Sequence, residues 1–235
     1  MTLIKNELKS KSNKEKAQFL LRFFKTKKGQ YGEGDIFWGI VVPEQRLIAK
    51  KFKDIDYKEI QNLLNDKIHE CRLTALLVLI EKYKKADEKE REFIFKLYLK
   101  NYKNINNWDL VDLSAPKIIG SYLIDKDKKI LYDFALSNNL WKKRIAIVAT
   151  YSFIKEKKLD DTFKIAEILL KDEHDLIHKA VGWMLREAGK RDKKMEIKFL
   201  KKYANIMPRT MLRYAIEKFT TEEREYFLNI DKSIN

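Results

Sequence analysis

Three tryptophans stand beside charged residues at helical spacing, and these are the positions where the chain could do chemistry. In Asn107-Trp108-Asp109-Leu110-Val111-Asp112, the Trp108 indole and the Asp112 carboxylate lie four residues apart, so on a helix they share one face. Asp112 is flanked by Val111 and Leu113, an apolar setting that costs a carboxylate free energy unless it is hydrogen-bonded, paired or used. Leu140-Trp141-Lys142-Lys143-Arg144 puts Trp141 and Arg144 on one face, ahead of the apolar Ile145-Ala146-Ile147-Val148. In Lys179-Ala180-Val181-Gly182-Trp183-Met184-Leu185-Arg186, Trp183 follows a helix glycine that admits close approach by another backbone or a ligand. Taken singly, a tryptophan is more often core than site, and Asp112 also reads as the structural partner of an arginine.

Other chemistries find less support. His174 and His178 have the i, i+4 spacing of helix metal ligands, but Asp175-Leu176-Ile177 separates them and no glutamate follows the first, so they read as polar residues at a helix start and no metal is expected. No Gly-x-Ser-x-Gly elbow is present. The single cysteine, Cys71, lies at the head of the apolar run 73–80, which excludes an internal disulfide and reads as a buried structural thiol. Residues 27–42 hold Gly29, Gly32, Gly34 and Gly39 and read as a loop or small hairpin between helices, structural or functional. They lack the strand-before, helix-after setting and the Lys-Ser/Thr ending of a nucleotide loop.

The elements that must position these residues read as helices. Only seven Gly and three Pro occur in 235 residues, too few for the turns of a β-rich fold. Helical periodicity predicts elements over 14–25, 69–84, 88–102, 116–124, 128–137, 140–156, 161–171, 175–189, 193–205, 209–219 and 221–229. Ser114 two residues before Pro116, Asp160-Asp161, and Thr220-Thr221-Glu222-Glu223 suit helix N-termini. Paired, these helices give units of roughly 35–45 residues, the length of HEAT-like repeats. The expected fold is an all-α, HEAT-like helical repeat solenoid, a single domain over residues 1–235 whose concave basic face suits an extended ligand. The formal charge of +15 favours a polyanionic partner. No signal peptide or apolar run of roughly 18 residues is visible, so a cytoplasmic, membrane-free protein is expected.

The tryptophan segments carry a resemblance. Residues 108–116 (Trp-Asp-Leu-Val-Asp-Leu-Ser-Ala-Pro), 141–147, 178–187 and Met207-Pro208-Arg209-Thr210-Met211-Leu212-Arg213-Tyr214-Ala215 resemble, in order, the AlkD-like DNA alkylation repair family of monofunctional glycosylases. The likeness runs from about residue 14 to 228. It implies excision of cationic alkylated purines, 7-methylguanine and 3-methyladenine, from duplex DNA without a cofactor. It also implies that Asp112 is the catalytic carboxylate, that Trp108 and Trp183 flank the lesion's deoxyribose, and that Arg144 contacts the DNA backbone. Tyr31, Arg186 and Arg213 are assigned to DNA binding on the same likeness, and a monomer is expected. The pattern departs at Gly39-Ile40-Val41-Val42-Pro43, where Val41 stands for a glutamine of well-known members, and in the longer glycine-rich stretch. Because the family includes branches that bind DNA without glycosylase activity, a non-catalytic binder of branched or distorted DNA is the alternative. A helical protein-interaction module with an acidic partner is a third.

Overall fold

The computed structural model describes residues 2–230, and all regular elements among them are helical. Their contacts fall into two compact units, one ending at Ser114 and the other beginning at Ala115. Among the described residues, no helix is long and apolar enough to cross a membrane.

The first unit holds α1 (Leu3–Ser10), α2 (Lys14–Phe23), α3 (Val42–Lys51), α4 (Tyr57–Leu64), α5 (His69–Lys85), α6 (Glu88–Lys100) and most of α7 (Trp108–Ala115). Its centre is α5, which packs against α1, α3, α4 and α6. Every residue of α5 from His69 to Ile80 is buried, as a helix apolar all round requires. Cys71 sits there as a fully buried free thiol. Side-chain caps start the neighbouring helices: Asn13 accepts from the Lys16 amide at 2.9 Å, Asp56 from Glu59 at 2.7 Å and Asp87 from Glu90 at 2.8 Å. Helices α1, α3 and α4 were not anticipated by periodicity. Each nevertheless buries an apolar face, Ile4 and Leu8 in α1, Ile48 and Ala49 in α3, and Ile60, Leu63 and Leu64 in α4.

The glycine-rich segment between α2 and α3 forms turns, with no hairpin of its own. Its one bridge is to the chain before α5, pairing Ile36 with Ile68, and the His69 amide donates to the Ile36 carbonyl at 2.8 Å. Gly39 has φ of +82°, and a Cβ there would collide with the Asn13 carbonyl at the start of α2. Both constraints require glycine.

The second unit contains α8 (Ser121–Leu123), α9 (Lys129–Ala135), α10 (Leu140–Ala149), α11 (Tyr151–Lys155), α12 (Asp160–Ile168), α13 (Asp175–Gly189), α14 (Lys193–Tyr203), α15 (Arg209–Ala215) and α16 (Thr221–Leu228). Here α13 is central, packed against α10, α11, α12, α14 and α15. The stretch 140–156, expected as one helix, divides at Thr150, whose hydroxyl donates to the Ile147 carbonyl at 2.7 Å, a back-bond that bends helices. Ser114 is not the helix start expected of it. It lies in the last turn of α7, donates to the Leu110 carbonyl and meets the Tyr98 hydroxyl at 3.0 Å. Pro116, which has no N–H to continue the α-helical ladder, then opens a π-helical turn, Pro116–Gly120. The other two start signals hold: Asp160 and Asp161 occupy the first turn of α12, and Thr220 with Glu223 forms a capping box on α16.

The close approach expected beside Trp183 is made by backbone: a Cβ on Gly182 would collide with the Met211 carbonyl oxygen and the Tyr214 Cβ of α15. Gly182→Ala is therefore expected to destabilise the chain by about 1–3 kcal/mol, read as a lower urea midpoint with unchanged slope.

Candidate active site

Helix α7 begins directly after Asn107, whose side-chain oxygen accepts from the Trp108 amide at 2.8 Å. Trp108 and Asp112, one turn apart, both line a cavity of about 580 Å³ within the first unit. Phe19, Phe23 and Phe24 of the α2 region, Phe37 and Val41 complete much of the wall. Both Trp108 and Asp112 are half-buried, so each keeps an exposed part for a ligand. The apolar setting inferred for Asp112 is what the cavity provides.

Beneath the indole lies a continuous aromatic floor. Trp108 stacks on Phe24 with centroids 5.1 Å apart and meets the edge of Phe23 at 5.8 Å. Phe24 in turn stacks on Phe37 at 5.0 Å, and both rings contact the His69 imidazole, at 5.1 and 4.6 Å. Such pairs favour defined ring geometries and hold an indole in one orientation.

His69 is the charged centre of this floor. Its Nδ1 is 2.9 Å from Asp35 and its Nε2 is 2.8 Å from Asp109, the residue after Trp108. Burial alone would lower the imidazole's pKa, but the carboxylates of Asp109 and Asp35 outweigh it and raise it to about 9. At neutral pH both ring nitrogens therefore donate. Burial works in the opposite sense on Asp35. Hydrogen bonding from His69, the nearby Arg72 guanidinium and Asn107 nevertheless hold its carboxyl below the usual range. Glu70, also buried, accepts from the amides of Trp38 and Ile40, each at 3.1 Å, and of Gly39 at 2.7 Å. One carboxylate thus seats the end of the glycine-rich segment.

The remaining sequence candidates are placed as follows. Tyr31 lies half-buried in the glycine-rich segment with the Lys25 ammonium 6.0 Å from its ring centre. In the second unit, Arg144 is 5% exposed on α10, and its guanidinium donates to the Leu176 carbonyl in the first turn of α13. Trp183, half-buried on α13, has its ring 6.0 Å from that of Tyr151. Arg186 pairs with Glu217 and lies 3.6 Å from Glu187, while Arg213 is exposed on α15. Trp141 is buried, as a core tryptophan would be. His174 caps α13 by accepting from the Leu176 amide at 3.1 Å, and His178 bonds the Asp172 carbonyl. Among the described residues, no group of three metal-ligating side chains comes together.

Sequence reasoning missed Asp35, His69, Glu70 and Asp109. The available signal was His69-Glu70-Cys71-Arg72, where His69, Glu70 and Arg72 stand directly before the apolar run 73–80. Ionisable residues in a helix buried all round must be paired.

A half-exposed carboxylate and indole on one helical turn, opening onto an aromatic cavity, suit a cationic ligand. The family model of the DNA alkylation repair enzymes matches residues 4–219. The chain belongs to the DNA alkylation repair enzyme family. A solved structure of a predicted DNA alkylation repair enzyme from Enterococcus faecalis is similar in fold, with a TM-score of 0.71 at 18% identity, covering 90% of this chain and 98% of that one. No curated protein matches this chain. Membership of a DNA-repair family implies DNA as a partner.

The buried imidazolium predicts a pH dependence of stability. Because the folded-state pKa is raised from 6.5 to about 9, its stabilisation is complete below pH 6.5 and is lost as pH rises through about 9. Urea denaturation across this window should show a loss on the order of 3 kcal/mol, and His69→Asn should flatten the profile.

Proposed function

We propose that this family member is a monofunctional DNA glycosylase that excises cationic alkylated purines, such as 7-methylguanine and 3-methyladenine, from duplex DNA, with Asp112 as its catalytic carboxylate. The observation that carries the reading is the joint placement of Asp112 and Trp108, half-buried one turn apart on the wall of one aromatic cavity. An N3- or N7-alkylated purine already carries positive charge, so it leaves without general-acid protonation. The bond from C1′ to the base nitrogen breaks, its electron pair neutralises the departing purine, and the sugar gains oxocarbenium character. The Asp112 carboxylate stabilises that cation electrostatically and orients the water that attacks C1′ and gives up its proton. The Trp108 π-face adds attraction for the cationic sugar of roughly 0.5–2 kcal/mol, and the resemblance gives Trp183 the same role. Arg144, Arg186, Arg213 and Tyr31 are the proposed DNA contacts, of which Arg213 is the most exposed.

A second reading has one specific observation in its favour. Val41, 39% exposed on the cavity wall, offers a methyl surface where well-known members have a glutamine. A scaffold that binds branched DNA without chemistry would tolerate that change.

Single-turnover release of free base from methylated duplex DNA separates these readings. Asp112→Asn is expected to slow release by about 100-fold or more with DNA affinity nearly unchanged. Trp108→Ala should cost roughly 2–30-fold. Release by Asp112→Asn at the native rate would overturn the mechanism, and tight junction binding without any release would favour the binder. If 6–10 phosphates are neutralised, affinity should fall by roughly 10³–10⁵ between 50 and 200 mM salt.

A further inference from the structure

The residues on both sides of Trp108 lead to one carboxylate. Asn107, fully buried, donates from its side chain to Asp35 at 3.1 Å. Asp109 reaches Asp35 through the His69 imidazole, with 2.8 and 2.9 Å contacts. Asp35 is itself bound by the Arg72 guanidinium, which also donates to the Asp66 and Lys67 carbonyls at 3.0 and 3.3 Å. The start of α7 is therefore pinned to α5 and to the glycine-rich segment by one buried cluster of two carboxylates and two cations. None of the four side chains belongs to the reaction proposed above.

We propose that His69 is a positioning residue, holding α7 by Asp109 and the glycine-rich segment by Asp35, and so fixing where Trp108 and Asp112 stand. The inference rests on the glycosylase reading for its effect on rate. Its physical basis is donor arithmetic: an imidazolium donates from both nitrogens, whereas a neutral imidazole has one N–H and one lone pair. Deprotonation must therefore break one of the two carboxylate contacts and leave a net negative charge in a site with almost no water. The groups that face His69 are Asp35 from the glycine-rich segment, Asp109 from α7, Arg72 behind Asp35 on α5, and the Phe24 and Phe37 rings. Glu70, adjacent on α5, is turned to the amides of residues 38–40, and Lys16 and Asp112 line the same cavity. Phe24, between the imidazole and Trp108, transmits any shift to the indole.

Two measurements on the full chain test this. In NMR titration, the His69 Cε1 proton and the Trp108 indole proton, assigned by comparison with Trp108→Phe, should shift with a common midpoint near pH 9. In single-turnover excision from methylated duplex DNA, the native rate should hold to about pH 8 and then fall by about 10–100-fold through the same midpoint. Asp109→Asn keeps an acceptor but removes a charge, so its alkaline limb should move down by about one unit or more, with DNA affinity at pH 7 within about twofold. Superimposed alkaline limbs for the native chain and Asp109→Asn would overturn the proposal. So would a His69 titration that the Trp108 resonance does not follow. Should the native chain release no base, the glycosylase reading fails, while the two resonances still decide whether His69 positions the helix.

Discussion

The arrangement around Trp108 depends on a buried exchange of charge among Asp35, His69, Arg72 and Asp109. Each of the four side chains is nearly inaccessible to water, so a charge left unpaired among them would be costly. Together they are balanced, two carboxylates against an imidazolium and a guanidinium, and nearly every strong donor is directed at an oxygen. Breaking such a set by removing one member costs far more than the set contributes as a whole, because a partner is left charged and unpaired. The glycine-rich segment, α5 and the head of α7 therefore hold one another in a single geometry, and the Glu70 clamp on residues 38–40 reinforces it.

That rigidity serves an apolar opening. Phe23, Phe24, Phe37 and Trp108 form a stacked and edge-packed wall that would collapse around an unsupported indole. With His69 beneath it and Asp112 one turn away, the wall presents a π-face and a carboxylate to the cavity. A low-dielectric surface strengthens the attraction of Asp112 for a positive charge. The chain as a whole carries +15, opposite in sign to a phosphate backbone.

Long helices were legible in the sequence, α13 because its apolar stripe repeats and α5 because an apolar run fills residues 73–80. Residues 175–189 and 69–84 lie within one residue of the observed α13 and α5. Length alone did not decide legibility: α9 and α15, of seven residues each, were read from the sequence, whereas the eight-residue α4, capped by Asp56 and burying Ile60, Leu63 and Leu64, was not. Ser114 misled because a serine near a proline is the sequence pattern of a helix start, whereas tertiary packing carried α7 through it. At the site, the i, i+4 spacing placed Trp108 and Asp112 on one face, since helix geometry alone determines that. The His69 cluster was hidden because Asp35 and Asp109 are 34 and 40 residues away from His69, and no local rule links a loop aspartate to a helix histidine at that separation.

The most direct test of the account is mass-resolved detection of free base from a duplex carrying a single 7-methylguanine, incubated with excess native protein at neutral pH. The account predicts free 7-methylguanine and a matching abasic strand, formed well above the spontaneous depurination rate, with no base released from the unmethylated duplex. An intact lesion strand, recovered from a duplex shown to be bound, would contradict it.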